Sequence, residues 1–174
     1  MKSAIIVVDF QVDFVTGALG FKKAEKLEQL ITERLENAVK SGEEIIFTLD
    51  THKKDYLETQ EGKLLPIEHC IKNTPGWPVY GKVGEYLTSS VKIIEKPGFG
   101  SIELMNFLIG KNYDRIELCG LVTNICIVAN AVIAKTALPE AKITIKRELT
   151  SSFDNSLHEA AMKILESLQI NIID

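Results

Sequence analysis

Cys126 sits at the centre of GLVTNICIVANA, just after an apolar strand and where a helix begins. A thiol is a weak nucleophile until it loses its proton, and both a helix start and a nearby ammonium favour the thiolate. Lys96, in EKPGFGS, can be that ammonium. Asp9, in VVDFQVDF, can take the thiol proton and later hand it to a leaving amine, acting first as base and then as acid. A second constellation involves Asp50 and His52, which lie two apart after an apolar run and face the same side in extended chain. His69 stands at the far end of the loop that follows. Two imidazoles, one carboxylate and waters suit a divalent metal ion, zinc first, with iron or manganese also compatible. Glu58 or Glu61 can add a ligand. His158, the remaining histidine, falls within the last helical segment and reads as structural or solvated.

The elements that must position these groups are visible as short runs rich in isoleucine and valine: residues 4–8, 44–49, 91–95, 115–122, 142–145 and 170–173. Such near-continuous apolar runs are those of parallel strands buried on both faces. Helical periodicity separates them, with Leu27, Leu30, Ile31, Leu35, Ala38 and Val39 on one face and Leu157, Ala160, Ala161, Ile164, Leu165 and Leu168 on another. Gly42 ends the first of these helices and Asp154 caps the last. Shorter helices are expected over 101–108 and 126–137. The alternation predicts a doubly wound α/β domain, a mainly parallel six-stranded sheet with helices on both faces, spanning 1–174 as one domain. Its exception is a long polar stretch at about 51–86, punctuated by proline and glycine, and long excursions of this kind tend to be functional.

Open α/β sheets bind ligands beyond the carboxyl ends of their strands. Here strand ends supply Asp9 and Gln11, then Asp50 and His52, then Lys96, then Thr123, Asn124 and Cys126. Singly, each reads as a turn former, a solvated lysine or a small buried residue. Together they mark one site.

Composition excludes several classes. A net charge of −4 with scattered lysines gives no basic face for nucleic acid. No apolar stretch is long enough for a membrane span, and Asp9 interrupts the N-terminal apolar run before a signal sequence could form. Three cysteines without CxxC spacing point to free thiols in a reducing cytoplasm.

Four stretches carry a resemblance to the isochorismatase-like cysteine hydrolases, and within them to the nicotinamidases (pyrazinamidases): VVDFQVDF, TLDTH, LPIEHC followed by NTPG, and CGLVTNIC, with EKPGFGS as a weaker fifth. The resemblance implies a Cys126, Asp9, Lys96 triad that hydrolyses a small-molecule amide through a thioester. It also implies an oxyanion hole from the N–H groups of Val122 and Cys126, with a cis peptide between Leu121 and Val122. In that family the metal orients a pyridine carboxamide, so Asp50, His52 and His69, with Glu61 as the further ligand, imply nicotinamide and NAD salvage; isochorismatases lack this metal site. Phe14 matches the family's aromatic wall, with Phe99 or Trp77 as a second. Many nicotinamidases carry a tryptophan before the last histidine, whereas this chain has Leu64 and Leu65. That departure keeps other small amides, carbamoyl or ureido compounds, open as substrates. A non-catalytic relative acting in binding or in thiol redox sensing is a further alternative. The family's habit is to form homo-oligomers.

Overall fold

A computed structural model describes residues 1–174. Six strands form one sheet: β1 (Ser3–Val8), β2 (Glu44–Asp50), β3 (Lys92–Lys96), β4 (Arg115–Leu121), β5 (Lys142–Ser151) and β6 (Asn171–Ile173), in the spatial order β3-β2-β1-β4-β5-β6. Every adjacent pair is parallel, so each connection must cross a face of the sheet. The helices make those crossings. Between β1 and β2 come α1 (Val12–Val15), α2 (Lys22–Glu25) and α3 (Leu27–Ser41), and α4 (Gln60–Leu64) follows β2. Then α5 (Ile102–Leu108) follows β3, α6 (Val128–Ala137) follows β4 and α7 (Asn155–Ser167) follows β5. The chain is thus the doubly wound α/β fold expected from its alternating pattern. None of its helices is long and apolar enough to cross a membrane.

β1 shows why its sequence is unbroken in apolar residues. Ala4, Ile6 and Val8 pack with residues of α5, α6 and α7, among them Leu104, Ala131 and Leu165, while Ile5 and Val7 pack with Ile31, Leu35 and Ala38 of α3. Burial on both faces leaves no position for a polar residue until the strand ends at Asp9. The expected caps are present: Gly42 ends α3 at φ 74°, and the Asp154 carboxylate accepts the N–H groups of Ser156 and Leu157 at the start of α7. β1 pairs with β2 on one side and β4 on the other, so the winding reverses there and opens a crevice at the carboxyl ends of β1 and β4.

Three elements differ from the sequence reading. β5 does not stop at Ile145 but continues to Ser151, re-pairing Thr150 with Gly120 after a register irregularity between Leu118 and Gly120. The 51–86 stretch is not featureless: it holds a 3₁₀ turn at Tyr56–Glu58, α4, and the start of a second 3₁₀ segment at Gly81–Ser89. Pieces this short leave no periodicity to read. The helix expected from Cys126 instead begins with a π-helical turn, Thr123–Ile127, before α6.

Gly120 shows how closely β4 lies against β1. Its φ is +112°, and a Cβ there would fall 2.1 Å from the Val8 carbonyl oxygen. Gly120→Ala is therefore expected to cost roughly 2–4 kcal/mol, from backbone strain and from backbone contact that no rotamer can relieve. A urea-unfolding midpoint unchanged from wild type would refute this.

Candidate active site

Lys96 ends edge strand β3 and projects inward, only 1% exposed. Its Nζ lies 2.6 Å from Asp9 Oδ2, 3.6 Å from Cys126 Sγ and 3.8 Å from Asp50 Oδ1, and it donates to the Gly98 carbonyl at 2.8 Å. Asp9, fully buried at the end of β1, adopts φ 47°, a left-handed conformation that costs a non-glycine residue and turns the carboxylate into the crevice. Its Oδ1 accepts from the Thr48 hydroxyl at 2.7 Å, while Oδ2, though in contact with Nζ, has no well-angled hydrogen bond. Burial pushes the Asp9 carboxyl above its ordinary value against the pull of Lys96, which makes it a stronger base than a solvated aspartate. Burial works against the Lys96 ammonium, but the carboxylates of Asp9 and Asp50 outweigh it and keep the lysine charged.

At Cys126 the influences of Lys96 and the helix start are outweighed. Burial, reinforced by Asp9, raises the thiol well above its ordinary value in spite of Lys96. The resting species is the neutral thiol, so for the sulfur to act as a nucleophile a base would have to take its proton. The peptide between Leu121 and Val122 is cis, and the Val122 carbonyl accepts from the N–H groups of both Ile125 and Ile127.

The second constellation also assembles. One ligand atom from each of Asp50, His52 and His69 lies within 4.8 Å of the others, and all three residues are buried. Both histidine Nε2 atoms face Asp50 Oδ2, at 3.1 and 3.5 Å. Glu61 Oε1 is 3.9 Å from His52 Nε2 and 3.8 Å from His69 Nε2. His69 Nδ1 donates to the Ile67 carbonyl at 2.8 Å, which leaves the lone pair on Nε2 where a ligand needs it. Tyr56 packs against both rings and fixes their planes. Burial works against the Asp50 carboxylate, yet its contacts with His52, His69 and Lys96 hold it well below the usual range, so it stays ionised. The donor set fits a divalent cation.

Both constellations open on one pocket of about 370 Å³, lined by Asp50, Glu61, His69 and Cys126 on its polar side. Phe14, Leu65 and Phe99, expected from the sequence as walls, line it too, as does Val122, expected as an oxyanion donor; Leu19, Ile125 and Phe153, which also line it, were not expected. Leu64 points away at 80% exposure: it is the last residue of α4, whereas Leu65 leaves the helix at φ −127° and ψ 84° and lines the pocket. Trp77 lies outside the pocket lining and donates to the Thr51 hydroxyl, and Glu58 is exposed at the end of its 3₁₀ turn.

Several positioning residues were missed or left without a role. Gln11 clamps the Asp50 peptide from both sides, its Oε1 accepting from Asp50 N–H at 2.7 Å and its Nε2 donating to Asp50 C=O at 2.9 Å. Asp13 accepts the Cys70 N–H at 2.7 Å and so holds the chain beside His69. Asn130 donates to the carbonyls of Cys126 and Phe99, joining Cys126 to the pocket wall. A signal existed for two of these: Asp13 is the second carboxylate of VVDFQVDF, and Asn130 follows Cys126 by one helical turn.

The family model described as the isochorismatase domain matches residues 3–174. Among curated proteins, none matches the chain by sequence. Solved structures do. The nicotinamidase/pyrazinamidase of Bacillus subtilis is 27% identical with a TM-score of 0.89, covering 100% of both chains. A pyrazinamidase of Pyrococcus horikoshii, solved in complex with zinc, is 26% identical with a TM-score of 0.85, covering 100% of this chain and 99% of that one. At 20% identity, N-carbamoylsarcosine amidase from Thermoplasma acidophilum shares the fold, with a TM-score of 0.80 over 99% of this chain and 95% of its own.

Proposed function

Because the chain belongs to the isochorismatase family and is a hydrolase of amide bonds, we propose that it converts nicotinamide to nicotinate and ammonia through a thioester on Cys126. The observation that carries this reading is the single pocket shared by the Cys126 thiol and the Asp50 and His69 donors, with mostly apolar walls between. A flat aromatic ring with a carboxamide at one end and a ring nitrogen at the other matches that distribution. A ureido compound would leave the apolar walls unused.

Asp9 takes the thiol proton as Sγ attacks the carboxamide carbon, and Lys96, 3.6 Å from Sγ, offsets the charge that develops there. The N–H groups of Val122 and Cys126 would receive the oxyanion. Collapse of the tetrahedral adduct breaks the C–N bond, Asp9 returns its proton to nitrogen, and ammonia leaves. Water then attacks the thioester while Asp9 again accepts a proton. The second collapse regenerates the thiol with that proton and releases nicotinic acid, which ionises to nicotinate by giving its remaining proton to solvent. Asp50, His52 and His69, with Glu61 alongside, would hold a divalent cation, zinc before iron or manganese, whose contribution is Lewis acidity toward the ring nitrogen.

Purified, zinc-loaded protein is expected to release ammonia from nicotinamide. Chelation is expected to lower the rate at least about tenfold, and zinc to restore it. Release no faster than that of a sample whose thiol has been alkylated would sink the assignment.

A further inference from the structure

The segment where β5 passes into α7 lies outside every motif described above, yet it touches the nucleophile turn. Thr123, fully buried, opens the π-helical turn that carries Cys126, and that turn has no side-chain cap at its start. Thr123 Oγ1 lies 2.9 Å from Thr150 Oγ1 at the end of β5 and 2.9 Å from His158 Nδ1 on α7. A hydroxyl carries one proton, so the three groups form a directed chain. Either Thr123 donates to the imidazole and accepts from Thr150, or the imidazole donates and Thr123 passes its own proton to Thr150. Both arrangements satisfy the buried hydroxyl twice, and loss of the imidazole leaves it one partner.

The ring is itself held in place. Asp154 caps α7 and its carbonyl accepts the His158 N–H at 3.0 Å, so His158 stands one turn into the helix. Burial, with Arg147 and Lys23, outweighs Glu159 and keeps the imidazole below its ordinary value, hence neutral near pH 7. Between cap and strand, Phe153 turns into the pocket wall, edge-on to Phe21. The junction thus supports the site from the side opposite β3.

We propose that His158 is a positioning residue for this site: acting through Thr123, it fixes the turn that places Cys126 Sγ 3.6 Å from Lys96. The inference rests on Cys126 being the nucleophile and not on nicotinamide being the substrate.

The test compares His158→Ala, His158→Asn and His158→Gln. An asparagine amide reaches the place of Nδ1, whereas a glutamine amide reaches toward Nε2 and misses Thr123. One readout is kcat and KM for nicotinamide. The other is the rate of Cys126 alkylation by iodoacetamide, in which an Sγ–C bond forms and iodide leaves, located by peptide mass; Cys70 and Cys119 are fully buried. His158→Ala and His158→Gln are expected to lose about tenfold in kcat, with KM within about twofold of wild type. Alkylation is expected to slow by a similar factor, and His158→Asn to recover most of both rates. Should His158→Ala fail to fold at the assay temperature, the contrast between asparagine and glutamine decides. Equal losses in those two, rates matching wild type in all three, or a loss confined to KM would overturn the proposal. If wild-type protein leaves nicotinamide intact, the proposed function falls, and the alkylation rates still judge His158.

Discussion

Cys126→Ala is expected to fold normally and to lose nicotinamide turnover by roughly 10⁴-fold or more, the scale seen when a covalent nucleophile is deleted. The fold should survive because the substitution removes only one sulfur from a side chain that is 6% exposed. A vacated volume of that size costs about 1–2 kcal/mol, small against the stability of a whole domain. The surrounding polar groups also keep their partners: Lys96 retains Asp9 at 2.6 Å and the Gly98 carbonyl at 2.8 Å. Ammonia release and a denaturation curve, measured on one preparation, check both halves of the expectation. A variant that kept more than about one hundredth of wild-type turnover would show that nicotinamide is hydrolysed without a thioester.

Lys96→Met is expected to damage both activity and stability, because it removes the cation from a pair whose members are 1% and 0% exposed. A buried charge stripped of its partner costs about 3–5 kcal/mol, and turnover should fall at least about a hundredfold with the loss of the charge beside Sγ. The stability effect has a definite pH dependence. Burial already holds the Asp9 carboxyl above its ordinary value, with Lys96 as the main opposing influence, so removing Lys96 raises it further. A carboxyl whose folded-state pKa exceeds its unfolded one costs nothing below the unfolded value, near pH 4, costs about 1.4 kcal/mol more per unit as pH rises from there toward the folded value, and levels off above it. The variant should therefore approach wild-type stability in acid and diverge from it toward neutrality. Adding Asp9→Asn should recover stability at neutral pH but no activity. Urea titrations across pH test this directly, and a destabilisation that stayed flat with pH would mean that Asp9 does not carry the stranded charge.

Much of this was legible in the sequence because the sheet constrains what may follow each strand. AIIVV, EIIFTL and RIELCGLV are buried on both faces, so a charged or reactive residue at their carboxyl ends is conspicuous, and Asp9, Asp50 and Cys126 could be placed together before any coordinates. Local order in Leu27–Ser41 and Asn155–Ser167 was equally plain, since both helices are long enough to show their period. What could not be read depends on contacts between distant segments. The hydrogen bonds of His158 to Thr123 and Asp13 to Cys70 join residues 35 and 57 apart, and no local pattern announces them. Leu64 and Leu65 were indistinguishable until it was known that α4 ends between them. The balance of influences on Cys126 could not be weighed for a related reason: Lys96 and the helix start are visible in sequence, whereas the degree of burial that outweighs them is a property of the packed whole.

The Gln11 clamp has a consequence for how such a protein can diversify. Gln11 hangs from the segment that carries Asp9 and grips the Asp50 peptide by both its N–H and its C=O, so the Asp9 and Asp50 sides of the crevice are stitched to each other. Neither side can drift without dragging the other, and mutational exploration of the polar groups is correspondingly restricted. Leu65 and Phe153 are under no such tether through their side chains, since each meets the pocket only as an apolar surface. Evolvability is therefore concentrated in the walls: a lineage that changes those two side chains can acquire new substrates while inheriting the same chemistry intact.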